Sequence, residues 1–140
     1  VASVTFGGNV NADAAVSRYY LDRDTSWYAA RMLGYPYQYG GSGPQAFDCS
    51  GLAQYVYGHY GYWIPRTADE QYRYFRQIPR WYAWGGDLVF FHVWPGGPVY
   101  HTGIYEGGGN MVSALNYAYG VKWTPVSWGG PYVTYGTISH

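Results

Sequence analysis

The spacing of apolar residues changes at about Gly85. Before it, short segments with helix signals alternate with polar and glycine-rich breaks. Ala14 to Leu21 predicts a short helix. Asp24-Thr25-Ser26 offers caps for a second, through Trp27-Tyr28-Ala29-Ala30-Arg31-Met32-Leu33, with Gly34 as its stop. A third begins near Cys49, runs through Leu52-Ala53-Gln54-Tyr55-Val56-Tyr57 to about His59, and ends near Gly58 or Gly61. Thr67 and Glu70 have the spacing of a capping box ahead of a fourth helix, from Gln71 to Arg76, with Pro79 stopping anything longer.

After Gly85 the runs are of β type. Asp87-Leu88-Val89-Phe90-Phe91-His92 and Tyr100-His101-Thr102-Gly103-Ile104-Tyr105 predict two strands. Gly107-Gly108-Gly109-Asn110 is a strong turn, and Met111-Val112-Ser113-Ala114-Leu115 returns as a third strand. Val121 to Val126 and Tyr132 to Ile138 supply two more. Helices followed by an antiparallel sheet give an α+β domain, not an alternating βαβ one. Residues 1–13 read as an extended arm or weak strand, and Trp94-Pro95-Gly96-Gly97-Pro98 as a loop within the domain.

A chain of 140 residues suits one domain with one core. Lys+Arg and Asp+Glu are 8 each, so the formal net charge is zero, which argues against a nucleic-acid partner. No run of 18 apolar residues predicts a membrane span. The single cysteine excludes an internal disulfide. The 19 Tyr and 7 Trp suit clefts that handle sugars and peptides, although a charge-poor protein can also build its surface from tyrosine.

The candidate chemistry centres on Phe47-Asp48-Cys49-Ser50-Gly51-Leu52. Asp48 or Ser50 can cap a helix that starts at the cysteine. Helix-end N–H groups stabilise a thiolate there and can donate to a developing oxyanion. The competing reading is a buried structural thiol, common for a free cysteine. A cysteine nucleophile needs a base, and that base needs an orienting partner. His59 lies at the far end of the same helix, roughly 15 Å away at 1.5 Å per residue. His92 ends a strand, His140 is the last residue, and His101 opens a strand that can face the helix start. His101 is therefore the better base. No zinc-ligand spacing joins Cys49 to the histidines.

These stretches together resemble the NlpC-type cell-wall peptidases, papain-like cysteine hydrolases of bacterial peptidoglycan. In order they are Pro36-Tyr37-Gln38-Tyr39-Gly40-Gly41, Phe47 to Leu52, Ile64-Pro65-Arg66-Thr67 with Gln71, Gly86-Asp87-Leu88-Val89-Phe90-Phe91, His101-Thr102-Gly103-Ile104-Tyr105, and Met111-Val112-Ser113-Ala114. The resemblance spans about residues 25–125. It implies a papain-like fold, N-terminal helices on a C-terminal antiparallel sheet, with residues 25–140 as the peptidase domain. Residues 1–24 are left as an N-terminal arm that can shield the cleft. The resemblance makes Cys49 the nucleophile and His101 the general base. It places Asp48 and Ser50 where the substrate's amino-terminal side is held, and the Tyr37 hydroxyl close to the thiol. Arg66 reads as a loop anchor and Asp87 as the closure of a turn.

One position departs from the family. The third catalytic residue is usually His, sometimes a carboxylate or amide, and here it is Ser113. A tight Gly107-Gly108-Gly109 hairpin predicts Ser113 directly opposite His101, accepting a hydrogen bond from Nδ1–H. Asn116 is an alternative, but one place off parity. The implied activity is that of a monomeric, secreted or cell-envelope endopeptidase. It cuts peptidoglycan stem peptides between D-glutamate and a diamino acid through a thioester, with no metal or cofactor, and with activity reduced by Ser113. The alternatives are a binding module using the same cleft, and acyl transfer to lipid or amine substrates.

Overall fold

In the computed structural model residues 10–140 are described, with side chains from residue 20 onward. Three helices, α1 (Val10–Arg31), α2 (Cys49–His59) and α3 (Ala68–Tyr74), precede most of a six-stranded antiparallel sheet. The strands are β1 (Arg76–Ile78), β2 (Leu88–His92), β3 (Val99–Gly107), β4 (Asn110–Asn116), β5 (Gly120–Pro125) and β6 (Val133–Thr137), and their spatial order is β1-β6-β2-β3-β4-β5. The architecture is the expected α+β one.

The continuous apolar run of β2 is buried on both faces of the sheet. Leu88 and Phe90 point to the helices, where they pack with Leu52, Ala53 and Val56 of α2 and with Ile104, Val112 and Ala114 of neighbouring strands. Val89 and Phe91 point the other way, to Tyr105, Met111 and Tyr135. That second face is covered by a 3₁₀ segment, Val126–Gly129, which carries the chain from edge strand β5 back toward β6.

Two elements differ from the sequence-based expectation. The break at Asp24-Thr25-Ser26 does not occur, and one helix runs through it. The Thr25 hydroxyl donates back to the Asp22 carbonyl, also lies 3.4 Å from the Gly86 carbonyl, and is fully buried. The Ser26 hydroxyl donates to Glu106 on β3. Hydroxyls that can cap a helix here tie its side to the sheet. The boundary expected at residue 24 thus falls inside α1, where Leu21 and Asp22 are already buried. The arm before Val10 lies outside the described residues.

The fourth predicted helix starts and ends earlier, at Ala68–Tyr74. Its capping box is present, with Thr67 accepting from the Glu70 N–H and Glu70 reaching back to the Thr67 N–H. Phe75 turns extended at φ −77°, ψ 146°. Arg76–Ile78 then pair with Tyr135–Thr137 as an edge strand. Strand pairing beyond the reach of local sequence takes residues that a helix pattern would claim.

Candidate active site

The site is built from the start of α2 upward. Asp48 is the N-cap, and its Oδ1 accepts from the Gly51 N–H at 2.7 Å. The Gly40-Gly41 loop folds over this turn: the Gly40 N–H donates to Asp48 Oδ2 at 3.1 Å, and the Asp48 N–H donates to the Gly41 carbonyl. The approach is so close that a Cβ on Gly51 would sit 1.9 Å from the Gly41 carbonyl oxygen. Glycine is required there by space, not by its φ.

Arg66 clamps the same turn. Its two terminal nitrogens meet the two Asp48 carboxylate oxygens at 3.0 and 2.9 Å, and Nη1 also reaches Ser50 Oγ at 2.9 Å. This bidentate pair is partly buried. The loop-anchor reading of Arg66 is therefore extended, because the partner is the residue before the thiol. Gln71, buried, donates from Nε2 to the Ser50 and Pro65 carbonyls.

Cys49 itself is half-buried at the mouth of a cleft of about 350 Å³. Tyr37, His101, Phe91, Tyr100 and Trp128 line this cleft with it, and none of its lining side chains is Asp, Glu, Lys or Arg. The ladder between β3 and β4 is paired from the turn as far as Ile104 opposite Val112. Beyond that point the Thr102 N–H favours the Cys49 thiolate, together with the N–H groups of Ser50 and Cys49. Burial is nonetheless the largest influence and pushes the thiol up, with the Asp48 charge adding to it.

His101 is buried on β3, opposite Phe91 of β2. Its Nε2 lies 3.0 Å from the Ser113 hydroxyl oxygen. Burial lowers its pKa to about 4. Both directions favour the uncharged pair, thiol and imidazole, over a resting ion pair.

The register corrects one expectation. Ser113 does not stand directly opposite His101. The turn residues are Gly108 and Gly109, both at positive φ, flanked by Gly107 opposite Asn110, and the register shifts between Tyr105 and Gly107. Ile104 then faces Val112, so Ser113 comes opposite Gly103, and His101 reaches it diagonally. The shift is by two places, so both side chains keep the same face. The ring nitrogen is corrected too, since Nε2 and not Nδ1 meets the serine.

The structure brings Cys49, His101 and Tyr37 to one cleft, with Ser113 behind the histidine. Tyr37 is held edge-on to Tyr117 at 4.8 Å between ring centroids. Its hydroxyl pKa is raised by burial and then by the neighbouring Cys49 and Asp48 charges. Asp48 and Ser50 are not among the cleft's lining residues; they brace the turn below it. Asn116 accepts from the Tyr119 N–H in the β4–β5 turn instead. His59 stacks on Tyr28, and His92 is held by the Gly97 carbonyl and Thr134.

A family model for the NlpC/P60 family matches residues 34–137. The chain belongs to the NlpC/P60 family. It is 39% identical over 113 residues to a probable endopeptidase p60 of Listeria seeligeri, covering 79% of this chain and 21% of that protein. It is 43% identical over 88 residues to the bifunctional muramidase/DL-endopeptidase CwlT of Bacillus subtilis, covering 61% of this chain and 27% of that one. The solved structure of the peptidoglycan hydrolase RipB of Mycobacterium tuberculosis superposes with a TM-score of 0.77 and 28% identity, covering 89% of this chain and 68% of its own. The chain thus spans about a fifth of the p60 protein and just over a quarter of CwlT. The α+β sheet-and-helix arrangement is that of NlpC/P60 domains, papain-like as the sequence implied.

Several contributors to this NlpC/P60 site were not visible as such in the sequence. The Thr102 N–H is a backbone group, and Trp128 comes from a 3₁₀ segment between strands. His140 and Asp22 form a second polar cluster with Asp87, at the opposite end of β2 from the cleft. Among the described residues these three are the group whose donor atoms, within 4.8 Å of one another, could hold a metal ion. In the structure they bond to one another and to neighbours. His140 Nε2 meets Asp87 at 2.7 Å, and the Ser139 hydroxyl donates to Asp22 at 2.6 Å. Asp87 also closes its turn as expected, accepting from the Trp84 N–H.

Proposed function

We propose that this domain is a cysteine endopeptidase that cuts peptidoglycan stem peptides between D-glutamate and a diamino acid. The observation that carries the reading is the shared cleft of Cys49 and His101, with the histidine's other nitrogen on Ser113. The names of the relatives, endopeptidase and peptidoglycan hydrolase, supply the substrate class. Its place of work is then outside the cytoplasm, at the cell wall.

The steps follow from the residues. With Nε2–H donating to Ser113, the Nδ1 lone pair is available to the thiol. Nδ1 takes the thiol proton as sulfur attacks the scissile carbonyl carbon. The oxyanion is met by the Cys49 N–H and a neighbouring donor. Collapse breaks the C–N bond, and imidazolium returns the proton to the leaving amine. Water, deprotonated by the same nitrogen, then cleaves the thioester and frees the thiol. Tyr37 borders the substrate's amino-terminal side, and the N-cap brace of Asp48, Ser50 and Arg66 holds the nucleophile's turn.

A second reading is favoured by one observation: the histidine's partner is a neutral hydroxyl. A cleft with a weakly held base can retain stem peptide and turn it over poorly. Digesting purified sacculi with the protein and with Cys49→Ala, then profiling the released muropeptides, separates the two. The endopeptidase reading expects new stem-peptide termini from the parent alone. Identical profiles from both, with sacculi retained by both, would leave only the binding module.

A further inference from the structure

We propose that Tyr39 and Tyr117 form an aromatic shelf that takes the sugar end of the substrate, so that the domain prefers stem peptides still joined to their N-acetylated disaccharide. The proposal rests on the endopeptidase reading of the cleft. Tyr37 lines that cleft beside the thiol. Tyr117 packs edge-on against Tyr37, and the Tyr39 N–H donates to the Tyr117 hydroxyl at 2.9 Å. Tyr37 and Tyr117 thus join two loops, the one before α2 and the β4–β5 turn, and the Tyr39 backbone is bonded to the Tyr117 hydroxyl between them. Tyr39 is 82% exposed and Tyr117 71% exposed, yet Tyr117 is held at its ring edge and at its hydroxyl. An exposed aromatic that is fixed in place presents a face at little further entropic cost on binding.

The chemistry of the shelf selects its occupant. Among the described residues no cation lies over the ring of Tyr39 or Tyr117, and the cleft beside Tyr37 has no Asp, Glu, Lys or Arg lining it. A free stem peptide begins with an ammonium, which the disaccharide-linked form lacks, while its carboxylates are common to both. The disaccharide is neutral, because the muramyl carboxyl is consumed in the amide to the stem. It offers flat C–H faces edged with hydroxyl and acetamido groups, which suits a tyrosine's apolar ring and polar tip. Asp48, the nearest carboxylate on that side, is already paired bidentately with Arg66.

The test reads affinity on Cys49→Ala protein, so that it does not depend on turnover. Three probes are titrated: the disaccharide tripeptide, the same tripeptide with a free amino end, and the tripeptide with an acetyl cap. The disaccharide form should bind about tenfold tighter than either of the others, about 1.4 kcal/mol. Tyr39→Ala and Tyr117→Ala, each made in the Cys49→Ala background, should narrow that ratio toward one, and Tyr117→Phe should keep most of it. Equal affinity for all three probes overturns the proposal. So does an acetyl-capped peptide that binds as well as the disaccharide form, since charge removal alone would then explain the preference. Turnover of these probes by the parent is measured separately. If the parent cleaves none of them while the affinity ratio holds, the endopeptidase reading fails and the sugar shelf stands.

Discussion

His101 Nε2 and the Ser113 hydroxyl meet at 3.0 Å across a diagonal of the β3–β4 hairpin, with Gly103 in the place directly opposite the serine. A pair made this way can fix the imidazole's tautomer, because Nε2–H has an acceptor and Nδ1 keeps its lone pair. It cannot neutralise an imidazolium.

Ser113 should therefore matter little as a hydroxyl and more as a missing charge. Ser113→Ala should lower turnover by about 1 kcal/mol, the net value of an ordinary hydrogen bond. Ser113→Glu and Ser113→His should raise it, since hydrogen bonds to ionised groups are roughly twice as strong as neutral ones. Muropeptide release at equal folded concentration checks this. Abolition by Ser113→Ala with no gain from the other two would make serine a specific third member.

The protonation states give a pH signature. Burial raises the Cys49 thiol and lowers His101 to about 4. Iodoacetamide alkylation of Cys49 should then be slow at neutral pH and rise only above ~8.5, the ordinary thiol value. An inflection well below 7 would show a resting ion pair instead. For His101 the acid limb of kcat/KM should lie near 4, not at the ordinary 6.5. The same shift costs stability. The unfolded chain takes up this proton first, so stability falls as pH drops from 6.5 and levels off below about 4.

Tyr37 borders the thiol, and its hydroxyl senses the Cys49 and Asp48 charges. Tyr37→Phe should lower kcat more than it raises KM, because a hydroxyl beside developing charge acts mainly in the transition state. Stopped-time assays on a soluble stem peptide separate the two constants. A change confined to KM would make Tyr37 a binding contact alone.

Asp22 carries a stability cost away from the cleft. Burial, and then the Asp87 charge, raise it from 3.8 to about 8. The folded protein holds that proton where the unfolded chain has lost it, so stability falls as pH rises from about 4 to about 8. Asp22→Asn keeps an acceptor for the Ser139 hydroxyl and removes the charge. It should raise the unfolding free energy at pH 8 to 9 by on the order of 1 kcal/mol or more, with little effect near pH 4. Denaturant melts at the two pH values read the difference. Equal destabilisation at both would show that the carboxylate is needed for packing.

The helix after Asp48, the capping box at Thr67 and the strands β2 to β6 were legible because each is set by residues close in sequence, whereas β1 forms only by pairing with the distant β6. The Cys49–His101 pairing was legible because motif order fixed it. The continuity of α1 through Thr25 was not, since the bonds from Thr25 and Ser26 run to Gly86 and Glu106 far along the chain. The hairpin register was legible in parity and not in place, because a run of three glycines does not say where its turn is centred. The Asp22–Asp87–His140 cluster joins three distant segments, none of which carries a motif for it.

The central claim, acyl transfer through Cys49, is tested most directly by trapping. A soluble stem peptide is turned over with increasing hydroxylamine, and the acyl product is identified by mass spectrometry. The account predicts a D-glutamyl hydroxamate that rises with hydroxylamine, equal in amount to the lost free acid, and absent with Cys49→Ala. Cleavage that persists in Cys49→Ala, or that yields only free acid at every hydroxylamine concentration, would contradict it.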